Sequence, residues 1–243
     1  LELSVQGEKM NGDDLRLALA YALYQRREER VGMILEAKNY PSEAKGEALA
    51  LCITARVPYS VALAEALPFS KADLYVPPLG TPFMRACEDG IPSLAKYFLA
   101  KGPVVLQRAN EAGDTPLISA LDKEYSELSW DIINTGRPYA PDKVSKTGRT
   151  ALTAAINVGF VDLALFLMAE APQVIDQIDW RENTALIYAC KKGLELVAIE
   201  LLKYEESMPD YRDLEGKSAL DYARLKGLVG VIAFYQDQEL RIH

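Results

Sequence analysis

The chain has 243 residues, of which 49% are hydrophobic and 26% charged, so it has enough apolar surface to bury a sizeable core. Its net charge of -8 would repel a nucleic-acid backbone, and no apolar run is long enough to predict a membrane span, so neither partner is expected. A single histidine and three scattered cysteines exclude histidine-based catalytic triads, disulfide frameworks and zinc clusters, and we expect no metal or cofactor.

The N-terminal part of the chain predicts helices that repeat less regularly than those that follow. Residues 17–36 predict two longer helices separated by charged residues, and we expect 1–45 to be an N-terminal cap or a degenerate repeat. The stretch that begins at residue 46 lies one repeat length before a clearer pattern, so 46–79 is predicted to be a diverged repeat. Because the chain begins at Leu1 rather than at methionine, a removed leader stays open, and with it a cytoplasmic or an exported, periplasmic location.

Five segments that share one pattern follow from Gly80 onwards. A threonine or serine, here called the anchor, precedes a proline or alanine and an apolar residue at intervals of 34 or 35 residues. Its hydroxyl can accept backbone N–H groups at the start of a helix, where proline also fits. Five residues later a small residue lets neighbouring helices approach closely. The anchors are Thr81, Thr115, Thr150, Thr184 and Ser218, and the small residues are Ala86, Ala120, Ala155, Ala189 and Ala223.

Each repeat is predicted to continue with a short first helix, a bend and a second helix. A glycine nine residues after the anchor favours the end of the first helix, and apolar residues at helical spacing then predict the second. The residues at the bend are Gly90, Gly159, Gly193 and Gly227, with Glu124 as the departure. We therefore predict an all-α solenoid in a single domain 1–243, with five clear repeats over 80–235 and a C-terminal tail over 236–243.

Taken together, these residues resemble the ankyrin repeat family. Its repeats carry an Asp and a glycine in the turn before the anchor, and a histidine three residues after the anchor. The turn pairs of this chain are Asn110 with Gly113, Ser145 with Gly148, Asp179 with Glu182, and Asp213 with Gly216. The positions of the missing histidine hold Met84, Ile118, Thr153, Ile187 and Asp221. We expect the loss of that histidine to weaken the hydrogen bonds between repeats.

The resemblance implies protein binding rather than catalysis. Ankyrin proteins usually bind partners on a concave surface made by the turns and the first helices, so we expect a protein partner and a monomer when unbound. Binding of this kind can inhibit or shield the partner by occlusion, and a secreted effector or an adaptor scaffold is the alternative. The predicted contact residues are Arg85, Asp114, Ser119, Arg149, Trp180, Arg181, Asn183, Tyr188, Lys217 and Tyr222.

Trp180, Arg181 and Tyr188 form the predicted centre of that contact, because Trp, Tyr and Arg dominate binding hot spots. The other interpretation, that Trp180 and Tyr188 fill space between repeats, stays open from the sequence. The net charge mildly favours a basic patch on the partner. An enzyme with a carboxylate- or tyrosine-based site is the least expected function, since no set of residues with catalytic roles can be assembled.

Several residues that could suggest chemistry have simpler structural interpretations. The cysteines Cys52, Cys87 and Cys190 lie on predicted first helices, which favours buried, inert thiols. Trp130 lies on a predicted second helix, where it is expected to pack. The segment 145–150 is similar to part of a phosphate-binding loop but lacks the upstream glycine and buried strand, so we predict a turn.

Overall fold

The computed structural model describes residues 82–88, 91–101, 106–136 and 138–242. The predictions made for 1–79 therefore lie outside the described residues, as do Thr81, Gly90 and Cys52. The chain divides into two compact units, Leu1–Val105 and Leu106–His243. Each unit is treated by itself, and one continuous array over the whole chain stays a prediction.

In the first unit the structure describes two helices, α1 (Pro82–Glu88) and α2 (Pro92–Lys101). They pack against each other as the first and second helix of a repeat. Ala86 and Cys87 of α1 and Phe98 of α2 are buried, as their positions in the repeat predict. This repeat has the same order of elements as those of the second unit.

In the second unit, first and second helices alternate along the chain. The first helices are α3 (Pro116–Asp122), α5 (Ala151–Val158), α7 (Ala185–Lys192) and α9 (Ala219–Lys226). The second helices are α4 (Ser126–Asn134), α6 (Val161–Glu170), α8 (Glu195–Leu201) and α10 (Val229–Ile242). Each first helix packs against the next, from α3 to α9, and α8 packs against both α6 and α10. Both layers belong to a helical repeat solenoid, which confirms the predicted fold class.

In the second unit the anchor residues start the first helices as predicted. The side chains of Thr115, Thr150, Thr184 and Ser218 each accept the backbone N–H three residues further on. At two anchors a second bond completes a capping box, because Thr153 and Asp221 accept the backbone N–H of the anchor itself. These two residues occupy the position of the missing family histidine, so there the cap gains a hydrogen bond within the repeat.

In the second unit each first helix is followed at the predicted bend by a residue in a left-handed backbone conformation. Gly159, Gly193 and Gly227 have φ angles of 84°, 74° and 69°. Glu124 adopts the same region with φ 61° although it carries a side chain. A left-handed residue ends a helix by turning its N–H back to the last carbonyls, and glycine does this without the steric cost that Glu124 meets.

The core lies between the two layers of helices and follows the predicted positions. The small residues Ala120, Ala155, Ala189 and Ala223 are completely buried on the first helices, where they let adjacent helices approach. On the second helices the buried apolar residues include Leu128, Ile132, Leu163, Leu167, Val197 and Leu201. Trp130 of α4 packs edge-on against Phe166 of α6, with ring centroids 5.4 Å apart, in agreement with the predicted packing role. Burial also raises the pKa of the Cys190 thiol to about 12, so this group is protonated at neutral pH.

The turns before the anchors are held by side chains that accept two backbone N–H groups each. Asp179 Oδ1 accepts from the N–H groups of Arg181 and Asn183, at 2.9 and 2.8 Å. The corresponding acceptors of the other turns are Asn110, Ser145 and Asp213. Ser145 therefore belongs to a turn, as the sequence predicts, and each turn is rigid enough to present the residues at its tip.

Two hydrogen bonds connect successive turns into a ladder. The Lys146 N–H donates to the Ala112 carbonyl at 2.9 Å, and the Trp180 N–H donates to the Thr147 carbonyl at 2.9 Å. Glycine makes this close approach possible, because a Cβ on Gly148 would lie 2.2 Å from the carbonyl oxygen of Ile178. The turns are thereby fixed relative to one another as well as internally.

The ladder stops after the turn that contains Glu182. By register the next bond would join the Leu214 N–H to the Arg181 carbonyl, and within the described residues that bond is not formed. Glu182 takes the place of the glycine that lies against the next turn, and it has a φ angle of 57°. A side chain at this position prevents the close approach that Gly148 permits. The last two turns are therefore joined by side chains instead.

Candidate protein-binding groove

A groove with a volume of about 310 Å³ opens on the first-helix side of the second unit. Here it is called the α5–α7 groove, because residues of α5 and α7 line it together with the turns that precede these helices. The lining residues are Asp122, Arg149, Thr153, Ala154, Asn157, Asp179, Trp180, Arg181 and Tyr188. Four predicted contact residues, Arg149, Trp180, Arg181 and Tyr188, are thus brought together in one place.

Trp180 and Arg181 form an exposed platform at the rim of this groove. The Trp180 side chain is 62% exposed, and the guanidinium carbon of Arg181 lies 4.6 Å from the centre of the indole ring. Their backbone is fixed by the bonds to Thr147 and Asp179 described above. An indole with this exposure does not fill space inside the fold, and the cation over its ring orders it for contact. The platform therefore has the composition and the rigidity of a binding hot spot.

Tyr188 forms a second aromatic wall and is fixed by one strong hydrogen bond. Its phenol O–H donates to Asp179 Oδ2 at 2.6 Å. Burial, together with the bond to this carboxylate, raises the pKa of Tyr188, so the phenol stays neutral. The small side chain of Ala154 also lines the groove and leaves space open there. The half-buried Tyr188 therefore fits both the packing and the contact interpretation. It ties α7 to the turn before it and presents part of its ring to the groove.

Arg149 brings a positive charge to the lining of the groove. Its guanidinium donates to Asp122 and lies 3.9 Å from a carboxylate oxygen of Asp114. Burial lowers the pKa of Arg149, but the hydrogen bond and charge of Asp122 and the charge of Asp114 outweigh this effect and raise it. The groove therefore contains an ion-pair cluster in which carboxylates offset the charge of Arg149, and its polar atoms can fix the orientation of a bound segment.

Three predicted contact residues are not exposed, and that part of the prediction is wrong. Ser119, Asn183 and Tyr222 are buried. Asn183 accepts a hydrogen bond from Lys191 Nζ at 2.6 Å, and the Tyr222 phenol donates to Asp213 at 2.7 Å. These bonds turn the side chains back into the fold. Asn183 and Tyr222 stabilise the structure beneath the surface, and none of the three side chains is exposed to a partner.

The remaining predicted residues lie at exposed or half-buried positions outside the groove. Lys217 pairs with Glu215 at 2.9 Å on the last described turn. Asp114 lies on the turn before α3 and faces Arg149. Arg85 is in α1 of the first unit, where it pairs with Glu88 at 2.8 Å. A role of these residues in partner binding stays a prediction.

The sequence interpretation missed residues of the groove that lie one helical turn further along each first helix. Asp122 follows three residues after the predicted contact residue Ser119, and Asn157 lies at the equivalent position of the next first helix. Residues three apart on a helix share a face, so the same spacing could have identified both. It also places Lys191 on that face, where its charge is used within the fold.

A comparison with known protein families gives a match in this region. Residues 130–213 match a family model described as ankyrin repeats in three copies, and this range contains most of the groove. No curated protein matches the chain. Among the residues that the structure describes, no helix is both long and apolar enough to span a bilayer. In the same residues no cluster of side chains suited to hold a metal ion is found.

Proposed function

We propose that the α5–α7 groove is the centre of the contact with a protein partner. The premise is that residues 130–213 belong to the ankyrin repeat family and so form a protein–protein interaction module. The single observation that carries this proposal is the exposed, ordered Trp180–Arg181 platform on the rim of an open groove. Exposed aromatic and arginine side chains next to a concave site are typical of interface hot spots.

The groove supports binding of a protein segment better than catalysis. Ankyrin repeats are typically non-catalytic. Arg149, Asp122 and Asp179 already use their charges in hydrogen bonds and ion pairs, so they serve to orient a guest rather than to transfer protons. A partner held on this face would lose access to the surface that it buries, and inhibition by occlusion would need no further residue.

The local charges refine the expectation for the partner. The acidic net charge of the chain favours a basic patch on the partner, whereas the groove itself is lined by two basic and two acidic residues. Specificity at the groove therefore comes from the aromatic walls and the placement of polar atoms more than from net charge. We expect an apolar or aromatic side chain of the partner to enter between Trp180 and Tyr188.

The test uses proteins captured on the chain from the cells that produce it. Asn157→Trp fills the groove from an exposed position, and Trp180→Ala removes the platform. Leu196→Ala is the matched control, because it truncates an exposed apolar residue on a second helix. We expect the two groove variants to weaken binding by at least about tenfold, which corresponds to about 1.4 kcal/mol, with the control unchanged. Equal binding by the groove variants and the wild type would refute the proposal.

A further inference from the structure

A second surface of different chemistry lies where α9 bends into α10. Leu225 and Val229 are the most exposed large apolar residues in the described part of the chain, at 72% and 73%. They lie four residues apart on either side of Gly227, which ends α9 with a φ angle of 69°. Leu228, between them, is buried and fixes the bend to the core. The two exposed side chains therefore stand on a rigid corner.

Basic residues surround this apolar pair. Arg224 and Lys226 flank Leu225 on α9, and Lys192 occupies on α7 the position that Lys226 occupies one repeat later. Since α7 packs against α9, and packed helices lie about 8–10 Å apart, the two lysines belong to one patch. All three cations are exposed, and within the described residues none of them forms an ion pair. Leu225, Val229, Lys192, Arg224 and Lys226 are called the bend patch.

The acidic groups near this corner are engaged in other contacts, and within the described residues none of them forms an ion pair with Lys192, Arg224 or Lys226. Asp221 is used by Arg212 and by the cap at Ser218, and the Glu195 carboxylate accepts the Gly230 N–H at 2.6 Å. A cation in the last turn of a helix also offsets the helix dipole, which accounts for basic residues at these ends. That effect does not account for two large apolar side chains exposed among them. The charge of this patch is therefore positive, whereas the net charge of the chain is -8.

We propose that the bend patch binds an acidic segment of a protein partner, with an apolar side chain of that segment covering Leu225 and Val229. Charge complementarity selects this occupant, since three cations that form no ion pair with the described residues frame the apolar pair and steer acidic chains towards it. Exposed apolar area with a charged rim is typical of interaction sites. The bend patch is distinct from the α5–α7 groove, as none of its residues lines the groove.

The experiment measures binding of fluorescent peptides of about ten residues to the full chain by anisotropy, a length sufficient to cross a patch of this kind. The probe alternates glutamate with leucine, and its counterpart alternates lysine with leucine. We expect the acidic peptide to bind and to weaken with rising salt. The Lys192→Glu and Lys226→Glu double variant and the Leu225→Ser variant should each lower its affinity by at least about tenfold. Lys143→Glu and Leu214→Ser, at exposed positions away from the bend, should leave it unchanged.

The alternatives give results that differ. Equal binding of the basic peptide, or no binding of the acidic one, overturns the proposal. So does binding only to vesicles of phosphatidylserine, or concentration-dependent self-association abolished by Leu225→Ser. The groove-filling Asn157→Trp variant separates the two surfaces: loss of the acidic peptide in this variant would place the peptide in the groove and refute the bend patch. If the Asn157→Trp variant still binds the acidic peptide and the bend-patch variants do not, the proposal is supported, whatever the groove experiment shows.

Discussion

Replacement of Lys191 by methionine tests how the last two repeats are joined where the turn ladder stops. The ammonium group donates to Asn183 in one repeat and lies 2.7 Å from Asp213 Oδ2 in the next. It also lies 4.7 Å from the centre of the Tyr222 ring. Methionine keeps most of the apolar stem and removes the charge. Lys191→Met therefore breaks the side-chain link at the step where Glu182 interrupts the backbone bonds.

The magnitude follows from the burial of Asp213, whose side chain is only 1% exposed. Burial raises its pKa, but hydrogen bonds from Lys191, Tyr222 and the Lys217 backbone reverse this and lower it from 3.8 to about 2. At about 1.4 kcal/mol per pKa unit, the whole shift is worth roughly 2.5 kcal/mol. Lys191 supplies part of it and also satisfies Asn183, so we expect Lys191→Met to lower the free energy of unfolding by about 2 kcal/mol.

The dependence on pH gives the effect a specific signature. Because the folded-state pKa of Asp213 is lowered, its stabilisation is complete above pH 3.8 and is lost as the pH falls towards 2. The difference between wild type and Lys191→Met should therefore be largest at neutral pH and shrink between pH 4 and 2. Urea unfolding followed by far-ultraviolet circular dichroism at a series of pH values measures it.

Lys192→Met provides the matched control, since Lys192 is exposed on the same helix turn and is not ion-paired among the described residues. Both substitutions remove one charge from the C-terminal end of α7, which by itself costs about 0.5 kcal/mol. Equal loss of stability in the two variants, or a loss in Lys191→Met that stays constant down to pH 2, would refute the reasoning.

Three further substitutions test the turns and caps by chemical denaturation. Gly148→Ala should lower the free energy of unfolding by about 3 kcal/mol. Gly216→Ala should lower it by only about 1 kcal/mol, because Gly216 has a similar positive φ angle but open space around it. Equal losses would contradict the close approach of the turns. Thr150→Ala should cost about 1–2 kcal/mol because it removes one half of a capping box, and no loss would argue against the cap. Tyr188→Phe should cost about 1–2 kcal/mol, since buried Asp179 loses a donor, and a neutral effect would exclude that bond.

The repeat and its local chemistry could be predicted because they depend on neighbours in sequence. A hydroxyl at Thr150 can reach only the N–H groups of the next turn of chain, and a glycine at position 159 serves only the backbone on either side. The small buried residues, such as Ala155, follow from the same period. Such short-range constraints recur with every repeat, and therefore the spacing alone identified the helix starts, the bends and the core.

The arrangement of the surface was harder to predict, because it depends on contacts between repeats. Tyr188 and Tyr222 occupy equivalent positions, but one lines the groove and the other is buried, since Lys191 closes over the second. The replacement of glycine by Glu182 is visible in the sequence, whereas its effect on the bond to the following turn requires the packed structure. The bend patch combines residues of two repeats, which no single repeat pattern indicates.

Amide hydrogen exchange of the chain, alone and saturated with its captured protein partner, tests the central claim most directly. Slower exchange on binding reports the amides that the partner covers or orders. We expect the strongest new protection in the turn at 179–183 and in the first turns of α5 and α7, with the second helices α6 and α8 unchanged. Protection confined to α6 and α8, with the turn at 179–183 exchanging as in the free chain, would contradict a partner contact at the α5–α7 groove.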